Sequence, residues 1–181
     1  MIFIETSRLI LRNVAEGDGE IMYDYRNNEI CAKYQRGQTK DRKGIYDLIR
    51  LRKNDSISVD APFMIAVALK DTDEMVGEIV VMPEDGTISL GYTFHYKHHR
   101  NGYAFEALTA IIDMLHKRYP KWDFISFTEP ENIPSMALLM KLGYKNMGYL
   151  PSMESQVFGK WTTTRTEAEI AQAMLKQKSP E

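Results

Sequence analysis

The sequence predicts a mixed α/β fold built on one sheet. Short apolar runs of strand length alternate with stretches of helical period. Three of those runs follow one another across brief polar turns, the pattern of an antiparallel meander. A strand–helix–strand unit over 87–95, 102–119 and 122–128 then favours a parallel pair with a right-handed crossover.

Taken in order, residues 2–13 place Ile2, Ile4, Leu9 and Leu11 among polar neighbours in near-alternation, with a slip at Thr6-Ser7. This reads as one strand, or two short ones with a bulge. Residues 17–35 have a helical face (Ile21, Tyr25, Ile30) that Asn27-Asn28 breaks in two. Thr39 reads as the cap of a helix running to about Asn54. The meander follows: Phe63–Leu69, Met75–Met82 and Thr87–His95, separated by Lys70–Asp73 and Glu84–Gly86. A basic loop, YKHHRN at 96–101, leads into a helix carrying Ala104, Leu108, Ile111 and Leu115 on one face. Lys121–Thr128 is a strand, and Asn132–Leu142 a short helix with Pro134 in its first turn and Gly143 at its left-handed end. Two last strands, Tyr144–Leu150 and Ser155–Thr164, precede a partly polar helix or tail at 167–177.

With 181 residues, 44% hydrophobic and 27% charged, the chain has the composition of one globular domain, taken as 1–181. Twenty-three Lys+Arg against 25 Asp+Glu give a net charge of −2, without the basic excess of a nucleic-acid or membrane binder. Cys31 is the single cysteine, so an internal disulfide and a cysteine metal cage are both excluded, and a reducing cytoplasm fits. The start, MIFIETSRLILR, lacks the apolar core of a signal peptide, and no apolar run approaches the ~20 residues of a membrane span. His95, His98, His99 and His116 follow no metal-binding spacing, so no metal is expected.

The stretch richest in chemistry is 90–111. A strand ends, a basic loop carries one glycine, and a helix begins. A helix N-terminus presents unpaired N–H groups and about half a positive charge to an anion. Gly102 lets the backbone approach a phosphate closely, Ala104 keeps the first turn slim, and Lys97, His98, His99 and Arg100 add positive potential. A plain strand-to-helix turn with a solvated basic edge is the other reading. The loop is neither GxGxxG nor GxxxxGK[ST].

HRNGYA at 99–104 resembles the pyrophosphate loop, [QR]xxGx[GA], of the GCN5-related N-acetyltransferase (GNAT) superfamily. ENIPSMALLMKLGYKNMG at 131–148 is similar to that family's Asn, Ser and K-L-G-aromatic block. ETSRLILR at 5–12 resembles the branch holding ribosomal-protein N-terminal acetyltransferases. The resemblance implies a mostly antiparallel sheet of about seven strands, helices on both faces and a splayed central parallel pair. It implies an enzyme that moves the acetyl group of acetyl-CoA to a primary amine, on a small molecule or a protein N-terminus. A non-catalytic acyl-CoA-binding or regulatory module with the same fold is the alternative.

Carried over residue by residue, the resemblance implies that the backbone of Thr93, Phe94 and His95 pairs with the pantetheine arm. The amides of His99, Arg100, Asn101, Gly102, Tyr103 and Ala104 then cradle the diphosphate. Asn132 would bond the pantetheine, or act only as a helix cap, or both. Ser135 would lie near the thioester sulfur, or be a mere first-turn residue. Glu78, Glu129 and Tyr92 are candidates for the general base that frees the amine's lone pair. A surface carboxylate or a packed aromatic is the plainer reading of each. Two positions depart from the pattern. His99 stands where the loop usually has Gln or Arg, and Leu139 where many relatives carry a tyrosine that protonates the leaving thiolate. Tyr23, Tyr25, Tyr34 and Tyr46 fall in the segment that covers the acceptor pocket in such folds, and core packing accounts for them equally well. Cys31 reads as buried packing. The segment 155–177 either completes the sheet or mediates a homodimer.

Overall fold

The computed structural model describes residues 1–162. Eight strands form one sheet in the order β1-β2-β3-β4-β5-β6-β8-β7. They are β1 (Ile2–Glu5), β2 (Leu9–Arg12), β3 (Phe63–Leu69), β4 (Met75–Glu84), β5 (Thr87–Phe94), β6 (Asp123–Thr128), β7 (Lys145–Leu150) and β8 (Ser155–Lys160). The count exceeds the expected seven because the first segment folds back on itself. Thr6 N–H bonds Leu9 O at 2.9 Å, and Ile4 pairs with Leu11. Among the described residues the longer helices are α1 (Gly19–Asn27), α3 (Arg42–Arg52), α4 (Tyr103–Arg118) and α5 (Ile133–Lys141), with the short α2 (Glu29–Ala32) after α1. The tail at 167–177 lies outside the described residues.

The continuous apolar run of β3 follows from burial on both faces. Phe63, Ile65 and Val67 pack in the core that holds Ala107, Leu108, Ile111 and Leu115 of α4. Met64 and Ala66 face the opposite way, into a second core with Met22 and Tyr25 of α1 and Ile45 and Ile49 of α3. Helices therefore cover both faces of the sheet. The break between α1 and α2 is capped by Asn28, whose side chain accepts from the N–H of Ile30 and Cys31. The cap of α3 is Asp41 and not the expected Thr39. Asp41 Oδ1 accepts from Gly44 N–H at 2.8 Å, and a carboxylate at that place also meets the positive end of the helix dipole.

Strands β3, β4 and β5 form the antiparallel meander, and β5 and β6 are the parallel pair. That pair holds register only at Thr87–Asp123 and Ile88–Phe124. Beyond it β5 runs on to Phe94 along β4, while β6 runs on to Thr128 along β8. Each strand keeps its outer neighbour and leaves the other, so a gap opens inside the sheet toward both C-terminal ends. No helix among the described residues is long and apolar enough to cross a membrane.

Candidate functional site

The gap has a main-chain edge. His95 N–H donates to Val76 O at 2.8 Å, which makes His95–Val76 a hydrogen-bonded pair. By the alternation of antiparallel pairing, Glu78–Thr93 is another, and the groups of Tyr92 and Phe94 point away from β4 into the gap. Their carbonyls are met there by side chains. Gln35 Nε2 donates to Tyr92 O at 3.1 Å, and His99 Nε2 to Phe94 O at 2.8 Å. Of Thr93, Phe94 and His95, only Phe94 turns its main chain to the gap, and Tyr92 supplies the second gap-facing position. The period of two hides this in the sequence, because the parity of the register is set by β4.

The turn 99–104 closes one end of the gap and opens α4. Arg100 and Gly102 both take left-handed backbone angles, φ 64° and 77°. Such angles cost a non-glycine residue about 1 kcal/mol, which Arg100 bears and Gly102 avoids. A Cβ on Gly102 would meet nothing nearer than Arg8 Nη2 at 3.5 Å, so the space over this glycine is open. Gly102 sits at the N-cap of α4 with no side-chain cap, which leaves the N–H groups of Tyr103 and Ala104 at an uncapped helix start. The His99 ring turns back to Phe94 and away from the opening.

On the α4/α5 side of the sheet, Tyr92 and Ser135 join hydroxyl to hydroxyl at 2.8 Å. Burial raises the Tyr92 phenol above its ordinary value, partly offset by Ser135, so it stays protonated. A phenol in that state is a proton donor and a poor base. Asn132 caps α5, its Oδ1 accepting from Ser135 N–H at 3.2 Å. Near this pair lies the buried Tyr144 phenol, whose pKa burial raises and Ser126 partly offsets, and the Thr128 hydroxyl is buried without a hydrogen-bond partner. Leu139 is buried in the same core.

On the α1/α3 side, the Glu78 carboxylate is already engaged. Arg26 Nη2 lies 2.8 Å from both of its oxygens, Gln38 Nε2 donates at 2.8 Å and Tyr25 OH at 2.5 Å. Gln38 also reaches Thr93 Oγ1 at 3.2 Å. Arg26 Nε and Gln38 Oε1 are buried without partners beside this cluster. Arg26, Gln35 and Gln38 were not singled out by sequence. Polar residues on helical and loop segments read as solvated, and their partners lie 40 or more residues away.

Glu129 follows β6 at the mouth of the gap, with its side chain 28% exposed and one ion pair, to Arg36 at 2.8 Å. Tyr34 OH donates to Glu131 O at 3.0 Å. The segment 34–38 thus crosses the gap, holding β5 through Gln35 and the end of β6 through Tyr34 and Arg36. Tyr25 and Tyr46 pack with the α1/α3 core, whereas Tyr34 belongs to this crossing segment. Cys31 is buried, its Sγ donating to Phe94 O at 3.3 Å, and burial raises its thiol, which suits packing and not nucleophilic attack. His95 is fixed as the Nε2–H tautomer. Nδ1 accepts from Lys97 N–H at 3.2 Å and Nε2 donates to Asp24 at 3.0 Å. No group of three or more His, Cys, Asp or Glu among the described residues could hold a metal ion.

The chain is similar in sequence and in fold to known proteins. A curated relative, the uncharacterized N-acetyltransferase YnaD of Bacillus subtilis (strain 168), is 28% identical over 148 residues, covering 81% of this chain and 84% of its own. The structure of a putative ribosomal-protein-serine acetyltransferase from Vibrio cholerae has the same fold, with a TM-score of 0.71 at 23% identity over 87% of this chain and 95% of that one. So does the microcin C7 self-immunity acetyltransferase MccE, solved with acetyl-CoA and AMP, with a TM-score of 0.73 at 15% identity over 86% and 93%. A family profile described as an acetyltransferase (GNAT) domain matches residues 8–145. On that match, this chain belongs to the GNAT acetyltransferase family.

Proposed function

We propose that this chain transfers the acetyl group of acetyl-CoA to a primary amine by direct attack on the thioester. The observation that carries the reading is the parting of β5 from β6 after Ile88–Phe124, beside the open turn at 99–104. A gap edged by strand main chain suits an extended amide-bearing arm, and an uncapped helix start suits a diphosphate. The fold relative MccE was solved with acetyl-CoA, which supports the same coenzyme here.

In this reading the amides from His99 to Ala104 hold the diphosphate, and the gap-facing N–H of Tyr92 pairs with the pantetheine, since the Tyr92 and Phe94 carbonyls are already met by Gln35, His99 and Cys31. Asn132 orders the first turn of α5 beside it. The Phe94 N–H polarises the thioester carbonyl and stabilises the oxyanion that forms on attack. The neutral amine nitrogen bonds to the carbonyl carbon, and the C–S bond then breaks. The sulfur leaves as the thiolate of CoA and takes a proton from Tyr92, which Ser135 relays. This pair does the work of the tyrosine that Leu139 replaces. Glu129, through water, accepts the proton lost by the amine, because Glu78 already serves three donors. The acceptor is a small-molecule amine or a protein N-terminus, reached from the side of the 34–38 segment, and the reaction belongs in the cytoplasm.

The test is a panel of amines offered with acetyl-CoA, read as free thiol. Acceptor-dependent thiol release is the expected result. Coenzyme binding without any release would instead mark a non-catalytic acyl-CoA-binding module.

A further inference from the structure

The first of the three sequence blocks, ETSRLILR at 5–12, is far from the diphosphate turn in sequence, yet the fold brings it there. Glu106, in the first turn of α4, accepts from four groups of the β1–β2 turn. These are Thr6 Oγ1 at 2.6 Å, Ser7 Oγ at 3.1 Å, Arg8 N–H at 3.0 Å and Arg8 Nε at 2.7 Å. Arg8 Nη2 completes the fork on Glu106 at 2.7 Å, and Arg8 Nη1 donates to Asn101 O at 2.9 Å. The guanidinium also lies 4.7 Å from the centre of the Tyr103 ring. One side chain therefore holds two positions of the turn, Asn101 and Tyr103, together with Glu106 in the first turn of α4, while remaining 48% exposed.

Two physical consequences follow. The turn carries two left-handed residues in three, Arg100 and Gly102, a backbone that needs outside support to persist. Arg8 supplies it by fixing the intervening carbonyl of Asn101. The second consequence is electrostatic. Burial alone would raise the Glu106 carboxyl, but its bonds from Thr6, Arg8 and Ser7 hold it below the ordinary value, so it stays charged. An ionised carboxylate in the first turn of α4 opposes any anion arriving there, and the bidentate Arg8 cancels it.

The geometry points to Arg8 as the positioning residue of the diphosphate turn: through Asn101 O and Glu106 it presets the backbone that receives the coenzyme and removes the local negative charge. This rests on the diphosphate reading given above. A lysine in its place keeps the charge but cannot bond Glu106 twice and Asn101 once.

Isothermal titration of CoA into the full-length chain, with phosphorus NMR of the bound coenzyme, tests it. Arg8→Ala is expected to weaken CoA about tenfold and to move the diphosphate resonances of bound CoA while leaving the 3′-phosphate resonance in place. Arg8→Lys is expected to recover only part of the affinity, and it decides the question should Arg8→Ala fail to fold. Parent-like affinity in a folded Arg8→Ala, or in Arg8→Lys, overturns the role of Arg8 and leaves the diphosphate site standing. Absence of CoA binding by the unaltered protein overturns both.

Discussion

Arg26 and Glu78 meet on the α1/α3 side of the sheet at 2.8 Å, each side chain 3% exposed. Buried pairs of this kind need their remaining polar atoms satisfied, and Tyr25 and Gln38 do this for the carboxylate. Removing one partner strands the other charge. Glu78→Ala is therefore expected to cost about 3–5 kcal/mol of stability, read from urea unfolding at neutral pH. A loss below ~1 kcal/mol would show that the charges are not held as a pair.

The Tyr92–Ser135 contact yields a kinetic prediction. If the phenol protonates the departing thiolate, Tyr92→Phe lowers kcat by about 10²-fold and leaves the KM for acetyl-CoA near the parent value. Steady-state thiol release across a range of acetyl-CoA concentrations separates the two parameters. An unchanged kcat would take the donor role from Tyr92.

His95 sets a pH dependence of stability. Burial lowers its folded-state pKa below the ordinary 6.5, with Asp24 opposing part of that shift. The unfolded chain therefore binds the proton more readily than the folded one. The associated stability is fully present above the unfolded pKa and is lost as pH falls through the folded value. Urea midpoints are expected to drop from pH 7 to pH 5, and His95→Gln, which cannot take up the proton, should flatten that drop. A steeper drop in the variant would reverse the sign assigned here.

The fold was legible wherever a local period or a special residue decided it. The strand-length apolar run of β3, the helical face of α4, and Gly143 at φ 87° after α5 all stand in the sequence as they stand in the molecule. The turn 99–104 was legible because Gly102 is required by its backbone angle. What was not legible depends on distant partners. Gln35 and Gln38 become site residues only because Tyr92, Thr93 and Glu78 are brought to them. The turning of Thr93 toward β4 likewise follows from the register with Glu78. Thr39 and Asp41 are both acceptable caps by residue type, and the choice went to the residue whose carboxylate reaches Gly44 N–H.

The central claim is that the main-chain amides ahead of Ala104 grip the coenzyme's diphosphate. Gly102→Glu places bulk and negative charge in the open space over the turn, at a backbone angle costing about 1 kcal/mol for a residue with a side chain. Isothermal titration of CoA into the parent and into folded Gly102→Glu is the most direct measurement. The account predicts saturable binding to the parent and none detectable to the variant. Equal affinity in the two would contradict it.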